Sequence, residues 1–402
     1  MPLAQVHGVV LSGVSGAMVQ VEVDVANGLP SVGVVGLPDT SVTEARWRTR
    51  SAITSAGGTW PDRRVTISLS PAEVRKNGAG LDLPIAIGVL AASEQLGDVD
   101  LGSTTFLGEL GLDGRLRPTR GVLAAALAAR AAGLARLIGP PEAATEVARV
   151  PGIAVIAATT LAQVVSVLRG SDPGERIPPP VAATAGGAAV DLVDVRGHDF
   201  GRFALEVAAA GGHHLSLIGP PGVGKTLLAD RLPGLLPDLP EEPALEVAAI
   251  HSVAGLPRVA ADFARPPFRA PHHSASGAAL LGTVHGSRVA PGAVTLAHEG
   301  VLFLDEAPEF TRPALEGLRQ PMESGQIWLS RSGWAGLLPA RFQLVLAANP
   351  CPCGRRVGRG LGAADAVGDP GEGDVQVDEG ADREPRDDQQ RESRGDAFGV
   401  DA

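Results

Sequence analysis

The segment from Gly219 to Thr226 constrains the fold of this chain more than any other. It reads Gly-Pro-Pro-Gly-Val-Gly-Lys-Thr, between an apolar run that predicts a strand over 213–218 and a sequence that predicts a helix from about Leu227. The pattern G-x-x-x-x-G-K-[ST] in that setting is typical of a phosphate-binding loop, in which backbone N–H groups of glycines approach phosphate oxygens. The sequence therefore predicts an α/β domain with a nucleotide site.

The loop also predicts which residues contact a nucleotide. Lys225 is expected to reach the β- and γ-phosphates, and Thr226 to give its hydroxyl to Mg²⁺. The chain has only two lysines, Lys76 and Lys225, among 34 basic residues, so a lysine at this position argues against a chance glycine turn. The predicted nucleotide-binding residues of the loop are Gly219, Pro220, Pro221, Gly222, Val223, Gly224, Lys225 and Thr226.

Two later strands are predicted to end in polar residues. The apolar run 301–304 precedes Asp305 and Glu306, and the run 342–348 precedes Asn349. At the carboxyl edge of a parallel sheet, Asp305 is expected to hold Mg²⁺ through water and Glu306 to polarise the attacking water. Asn349 is expected to orient that water and to sense the γ-phosphate. Each pattern alone is common, but together they predict an ATPase that uses ATP and Mg²⁺, with Lys225, Glu306 and Asn349 as catalytic residues.

Composition and charge exclude several classes of protein. With 402 residues, 44% of them apolar, the chain is too rich in core-forming residues to be collagen-like, mucin-like or wholly disordered. Two cysteines, Cys351 and Cys353, are too few for a secreted disulfide framework. The longest apolar run, 83–92, is too short to span a bilayer, and the first residues do not resemble a signal peptide. We expect a cytoplasmic protein with no membrane partner.

Shifts in composition predict four segments. Residues 1–170 form an α/β unit, 171–189 are a linker rich in Pro and Ala, and 190–354 form a second domain. Residues 355–402 carry 13 acidic and 7 basic residues with almost no aliphatic periodicity, which predicts a disordered tail. The remaining 354 residues are only mildly acidic, so the chain as a whole has no basic signal for nucleic acid.

Periodicity and turn signals predict the elements of the first unit. Alternating valines over 19–23 predict a strand, and a capping-box pattern from Ser41 to Glu44 predicts the start of a helix that ends near Ala56. Asp113-Gly114 predicts a hairpin turn. The other predicted elements are strands over 64–70 and 153–157 and helices over 82–93, 122–134 and 161–168.

Several longer motifs resemble the Mg-chelatase-like AAA+ ATPases of the YifB/ComM family. They are Arg196-Gly197-His198, ALEVAAAGGHH (204–214), the phosphate-binding loop, FRAPHHSAS (268–276), PGAVTLAHEGVLFLDE (291–306), ARFQLVLAANPCPCG (340–354) and, in the first unit, 27–53 and 77–93. The resemblance covers about residues 1–354. It implies an N-terminal α+β domain of the ribosomal S5 domain 2-like (Lon C-terminal-like) fold, followed by an AAA+ P-loop module that assembles into a hexameric ring.

The same resemblance implies functions for the two domains. The best-described members of the family are DNA helicases that promote branch migration in natural transformation. Adenine contacts are then expected near Val195 and Gly197. A Ser–Lys protease of the Lon type is not expected, because Gly80 stands where the serine would lie and Leu123 where the lysine would lie.

The chain departs from the family pattern after Gly354. Family members continue there with the rest of the AAA+ core, an arginine finger and a helical lid, and residues 355–402 do not resemble those parts. We therefore expect a truncated or frameshifted chain that binds ATP but hydrolyses it poorly. Two other functions remain open: an ATPase that remodels a protein or metal-insertion partner, and a catalytically dead fragment that binds nucleotide.

Weaker features have two interpretations each. His272 and His273 are metal ligands or, as we prefer, structural or ring-interface residues. Cys351 and Cys353 resemble half of a zinc knuckle that this chain does not complete. Either a hairpin around 327–334 projects into a nucleic-acid channel, with Trp328 and Trp334 stacking on bases, or both rings pack in the core. The channel arginines would be Arg312, Arg319, Arg331 and Arg341.

Overall fold

The computed structural model describes residues 3–178, 190–286, 288–331, 334–350 and 374–378. Its first part contains ten strands and five helices within residues 3–178. The strands are β1 (Leu3–Ser12), β2 (Ser15–Ala26), β3 (Ser31–Val35), β4 (Arg64–Ser70), β5 (Thr104–Phe106), β6 (Glu109–Leu110), β7 (Leu116–Arg117), β8 (Arg136–Gly139), β9 (Ala154–Ala157) and β10 (Glu175–Arg176). The helices are α1 (Thr40–Ser55), α2 (Asp82–Ala92), α3 (Val122–Ala131), α4 (Pro141–Val147) and α5 (Leu161–Leu168).

An eight-stranded sheet organises this first part, in the order β10-β9-β8-β5-β1-β2-β4-β3. The alternating valines Val19, Val21 and Val23 lie on β2 and are fully buried, because every second side chain of a strand points to the same face. Helix α2 is almost wholly apolar and packs against β1 and β2. The predicted strands over 64–70 and 153–157, the Asp113-Gly114 hairpin (β6–β7) and the helices over 82–93 and 161–168 are confirmed.

Three details of the first part differ from the sequence prediction. Helix α1 is capped by Asp39, whose Oδ1 accepts a hydrogen bond from the Val42 backbone N–H, so the predicted capping box at Ser41 was wrong. Helix α3 ends at Ala131 rather than 134, where Gly133 has a φ of 77°. Strand β10 lies inside the predicted linker and pairs with β9 of the first unit. The rest of that linker, residues 179–189, lies outside the described residues.

The second part contains eight helices and nine strands within its described residues. The helices are α6 (Asp199–Gly211), α7 (Lys225–Ala229), α8 (Leu232–Leu235), α9 (Glu241–Ala254), α10 (Gly277–Leu281), α11 (Ala293–Leu296), α12 (Arg312–Glu316) and α13 (Arg319–Ser324). The strands are β11 (His214–Ile218), β12 (Phe268–Arg269), β13 (Gly282–His285), β14 (Arg288–Pro291), β15 (Gly300–Leu304), β16 (Gln326–Arg331), β17 (Trp334–Pro339), β18 (Phe342–Ala348) and β19 (Asp374–Asp378). Short 3₁₀ helices span Leu192–Asp194, Ala260–Asp262 and Ala307–Glu309.

A five-stranded sheet lies at the centre of this second part, in the order β12-β15-β18-β11-β19. The first four strands are parallel, as the sequence predicts. Strand β18 lies between the other two strands that carry predicted site residues, with Leu346 opposite Leu304 and Ala348 opposite Ile218. The carboxyl ends of β11, β15 and β18 therefore meet at one edge of the sheet.

Strand β19 differs from the prediction that residues 355–402 are disordered throughout. It pairs antiparallel with β11, with Val375 opposite Leu217 and Val377 opposite Leu215. The short alternation Asp-Val-Gln-Val-Asp explains the strand, because period-2 patterning suits a sheet edge. The other residues of 351–402 lie outside the described part of the chain.

The two parts of the chain share one hydrophobic core. Helix α9 packs against α3, and one cluster of buried apolar side chains continues from Leu123 through Leu245 and Ile250 to Leu302. The Trp334 ring lies against Gly13 in the β1–β2 turn, since a Cβ on Gly13 would be 2.7 Å from Trp334 Cζ2. Among the described residues, no helix has the length and apolar character needed to cross a membrane.

Candidate nucleotide-binding site

The phosphate-binding loop connects β11 to α7, at the sheet edge where three strands end. Gly222 and Gly224 have φ values of 83° and 91°, which side-chain-bearing residues rarely adopt. The Gly219 backbone N–H donates to the carbonyl of Ala348 at the end of β18, 3.2 Å away. The loop is thus fixed to the neighbouring strand at its first residue.

The Lys225 ammonium group makes three hydrogen bonds in this edge. Its Nζ donates to the carbonyl oxygens of Gly219 (2.7 Å) and Pro220 (3.0 Å) and to Oδ1 of Asn349 (2.8 Å). Partial burial lowers the pKa of Lys225, and the negative charges of Asp305 and Glu306 oppose that shift. The predicted lysine and asparagine are therefore in direct contact, although 124 residues separate them in the chain.

Thr226 and Asp305 lie together on the other side of Lys225. Thr226 Oγ1 donates to Asp305 Oδ2 over 2.8 Å. A hydroxyl and a carboxylate are hard oxygen donors, and Mg²⁺ in nucleotide sites takes one or two carboxylates with waters and substrate phosphates. The donors present fit Mg²⁺, with Thr226 and Asp305 as the residues that would hold it.

Glu306 follows Asp305 in a backbone conformation that constrains its direction. Its φ of 52° lies in the left-handed region, where a non-glycine residue costs of order 1–3 kcal/mol. The Glu306 backbone N–H donates to Asp305 Oδ1 over 2.9 Å, and the 3₁₀ turn Ala307–Glu309 follows at once. This turn separates the directions of the two adjacent carboxylates.

His273 is a site residue whose contact with Glu306 the sequence analysis missed, since it preferred a structural or ring-interface role for His272 and His273. Its Nδ1 lies 2.9 Å from Glu306 Oε2, and its ring lies beside that of His272, tilted by 35° with centroids 4.1 Å apart. His272 Nδ1 accepts a hydrogen bond from the Ser274 backbone N–H (3.2 Å). The available signal was the position of His273 a few residues after β12, the parallel neighbour of β15. Within the described residues, no cluster of three or more His, Cys, Asp or Glu side chains has the geometry of a metal site.

The residues expected near adenine lie just before α6. Val195 is buried among the apolar side chains of this part, and Gly197 is exposed with a φ of 70°. His198, between Gly197 and α6, is a second residue that the sequence analysis missed. A Cβ on Gly224 would lie 3.6 Å from His198 Nε2, so this imidazole adjoins the phosphate-binding loop.

Strands β16 and β17 form the predicted hairpin, and its two tryptophans differ in exposure. Trp328 is 52% exposed, whereas Trp334 packs against Gly13 and is partly buried. Arg312 and Arg319 pair with Glu316 and Glu323 one turn along their helices, and Arg341 pairs with Glu299. The side chain of Arg331 and the residues Cys351 and Cys353 lie outside what the structure describes.

Comparison with known proteins identifies the family. The family model for magnesium chelatase, subunit ChlI, matches residues 191–363, and a second model, subunit ChlI of Mg-chelatase, matches 21–143. The YifB protein of Escherichia coli is 47% identical over 358 residues, which are 89% of this chain and 70% of that protein. This chain belongs to the YifB/ComM family.

Other YifB/ComM relatives match over the same extent. An uncharacterized protein of Mycobacterium tuberculosis is 51% identical over 358 residues, covering 88% of this chain and 70% of the relative. The competence protein ComM of Haemophilus influenzae is 43% identical over 362 residues, covering 89% and 70%. The matches include both parts of the structure, so the family relationship extends beyond the phosphate-binding loop.

Proposed function

We propose that this chain is an ATP- and Mg²⁺-dependent AAA+ ATPase that acts on DNA. One observation carries the nucleotide part: at three strand ends, Lys225 bonds to Asn349 and Thr226 bonds to Asp305, each over 2.8 Å. The proposal includes an S5 domain 2-like first part and an AAA+ core in the second. Phosphoryl transfer depends mostly on positioning and electrostatic stabilisation, which this cluster is suited to supply.

Each residue of the cluster has a distinct task in the proposed reaction. Lys225 exchanges one of its carbonyl acceptors for phosphate oxygens and balances their negative charge. Mg²⁺, when bound at Thr226 and Asp305, neutralises charge on the β- and γ-phosphates. Glu306 accepts a hydrogen bond from the water that attacks the γ-phosphorus, and Asn349 orients that water. Backbone N–H groups of the loop bind the remaining phosphate oxygens.

His273 acts in this scheme as a positioning residue. Its contact with Oε2 of Glu306 fixes one carboxylate oxygen and leaves Oε1 to face the attacking water. This direction matters because a general base must lie within hydrogen-bond distance of the water that it activates.

The DNA part of the proposal rests on the family. The Haemophilus influenzae relative is named a competence protein, and the resemblance to the YifB/ComM family implies helicases that act on DNA. The exposed Trp328 on the β16–β17 hairpin offers a ring on which a base can stack. We further propose a cytoplasmic homo-oligomeric ring, a hexamer where the AAA+ core is complete. Because residues 355–402 do not resemble the part of the family that carries the arginine finger, a neighbouring copy of this chain would not supply that arginine from them.

The match to magnesium chelatase subunit ChlI favours a second candidate, an ATPase that drives a protein or metal-insertion partner. A chain that binds nucleotide without turnover is the third candidate. The three candidates differ in turnover and in its response to DNA.

The test is ATP turnover by the purified chain with and without single-stranded DNA, beside Lys225→Ala and Glu306→Gln. We expect slow turnover, stimulated by DNA, that both variants abolish, with ATP binding lost in Lys225→Ala and kept in Glu306→Gln. ATP turnover that DNA does not change would favour the second candidate, an ATPase that drives a protein or metal-insertion partner. Tight ATP binding without turnover would leave the third, and a folded chain that binds no ATP would overturn the site.

A further inference from the structure

A large cleft lies between the two parts of the chain, away from the phosphate-binding loop. Its volume is about 1000 Å³. The first part contributes the turn 77–80 and the loop 118–121, and the second part contributes Val253 of α9 and the β13–β14 hairpin. A ligand in this cleft would contact both parts at once.

The loops that line the cleft are those that resemble the Lon catalytic loops. Gly80 lies on the lining, and Leu123 is fully buried in the core behind it. Neither residue carries a nucleophile or a base, so the cleft has no peptidase pair of that type. The cleft therefore has a concave surface that could bind a ligand but lacks the residues of a Ser–Lys protease.

Three arginines give the cleft an unbalanced positive charge. Arg75, Arg120 and Arg288 all line it, and all three are exposed. Among the residues that the structure describes, none of these guanidinium groups has a carboxylate within ion-pair distance. His285 lies opposite Arg288 in the same hairpin and also lines the cleft.

The lining also holds two acidic residues, Asp39 and Glu109, and among the described residues neither forms an ion pair with these three arginines. Asp39 is engaged with backbone donors: its Oδ1 accepts from Val42 N–H (2.8 Å) and its Oδ2 from Gly78 N–H (3.2 Å). Glu109 faces the Arg48–Asp82 pair. The pKa of Arg48 is raised chiefly by its hydrogen bond to Asp82, and the charge of Glu109 adds to that rise. Because the three arginines outnumber the two carboxylates, the cleft keeps a small net positive charge.

We propose that this cleft binds phosphate groups, supplied by a single-stranded DNA backbone or by a free polyphosphate. Guanidinium groups match phosphate oxygens in charge and bidentate geometry. No Phe or Trp is found among the described residues of the lining, so the site would contact the phosphates of a nucleic acid and would not offer a ring on which a base could stack. Because the β13–β14 hairpin and the first part both provide arginines, an occupant would tie the two parts together. Only the DNA source rests on the proposed function.

The experiment compares two triple variants of equal charge change in the full chain. The cleft variant carries Arg75→Ala, Arg120→Ala and Arg288→Ala, and the control carries Arg50→Ala, Arg63→Ala and Arg176→Ala, three exposed arginines outside the cleft. Both are made in a Lys225→Ala background, so that the phosphate-binding loop does not contribute. The probes are a fluorescein-labelled oligothymidylate, followed by anisotropy across a salt series, and inorganic pyrophosphate, whose binding is measured directly by isothermal titration calorimetry.

We expect the cleft variant to bind the oligothymidylate at least about tenfold more weakly than the control, and its salt slope to fall by about 2, for three lost phosphate contacts. If pyrophosphate binds and the oligonucleotide does not, with the same dependence on the cleft arginines, the source is a free polyphosphate. Equal losses in both triple variants, or binding of neither probe, would overturn the proposal. ATP turnover is not measured, so failure here is distinct from failure of the proposed ATPase.

The single variant Arg288→Glu guards against a folding artefact. This residue is exposed at the edge of a two-stranded hairpin, so its reversal of charge leaves the core unchanged. It should weaken oligothymidylate binding more than Arg288→Ala does, with an unchanged melting temperature. Equal binding by both single variants would contradict a direct phosphate contact.

Discussion

The two lysines of the chain lie beside two glycine-rich turns, and their surroundings are opposite. Lys76 precedes the turn 77–80 in the first part; its side chain is fully buried and its Nζ donates to the carbonyl of Pro71. Lys225 ends the phosphate-binding loop in the second part, half-buried, where three strands meet. Similar local sequences thus acquire different roles because only the second turn lies at the carboxyl edge of parallel strands.

The same contrast holds for carboxylates. Asp82 of the first part has a side chain only 1% exposed and is held by Arg48, with Nε–Oδ2 at 2.7 Å and Nη2–Oδ1 at 2.9 Å. Asp305 and Glu306 of the second part remain open to solvent at the strand end. The carboxylate of the first part is thus held inside the fold by an arginine, whereas the two carboxylates of the second part are available for a ligand.

The largest expected effect on stability comes from breaking the buried pair. Arg48→Ala leaves Asp82 without its partner inside the protein, and removing one member of such a pair costs about 3–5 kcal/mol. Urea unfolding followed by tryptophan fluorescence measures the loss. Arg50→Ala, on the exposed side of the same helix, should change the free energy of unfolding by less than about 0.5 kcal/mol.

A double variant separates charge burial from packing at this position. Arg48→Met with Asp82→Leu removes both charges and should recover most of the stability lost in Arg48→Ala. If the double variant is as unstable as the single one, the pair stabilises the fold through its hydrogen-bond geometry rather than through charge balance. The contrast between Asp82 and the open carboxylates of the second part would then weaken.

A smaller effect is expected from acid, at the helix that joins the two parts. Burial lowers the pKa of His251 on α9 from 6.5 to about 4, and the positive charges of Arg269 and Arg258 lower it further. The hydrogen bond to the Leu296 carbonyl opposes this shift. The unfolded chain therefore takes up this proton first as the pH falls. Stability from this group is complete above pH 6.5 and declines towards pH 4, by about 3 kcal/mol.

The check is the free energy of unfolding measured between those two pH values. His251→Gln cannot titrate, so its stability should vary less with pH than that of the unchanged chain. The same slope in both proteins would show that other groups dominate the acid response.

The smallest effect is expected at the buried lysine. Lys76→Met exchanges a desolvated ammonium, whose pKa burial lowers, for an apolar chain of similar length. The free energy of unfolding should stay within about 1 kcal/mol and ATP turnover should not change. Lys225→Met is the matched substitution and should abolish turnover with little change in stability. Loss of turnover in Lys76→Met would break the contrast between the two lysines.

The sequence was sufficient for the main features of the second sheet. Strong apolar runs ending in Asp305 and Asn349, together with the phosphate-binding loop, predicted the strands that the structure brings together. The contact of His273 with Glu306 was not predictable, because it depends on how the chain returns after β12. The cap at Asp39 was missed because both Ser41 and Asp39 are residue types that cap helices. Which of them accepts the hydrogen bond from the first turn depends on the backbone conformation, which the sequence does not show.

Trp334 packs against Gly13, and both parts contribute to one hydrophobic cluster, so the two parts do not separate into independent fragments. The boundary that composition places near residue 190 is a boundary along the chain only. A second part produced alone would present the faces of α9 and the hairpin that α3 and the β1–β2 turn now cover. Such a fragment should aggregate, and exchange of first parts between relatives should succeed only when those covering residues are exchanged with them.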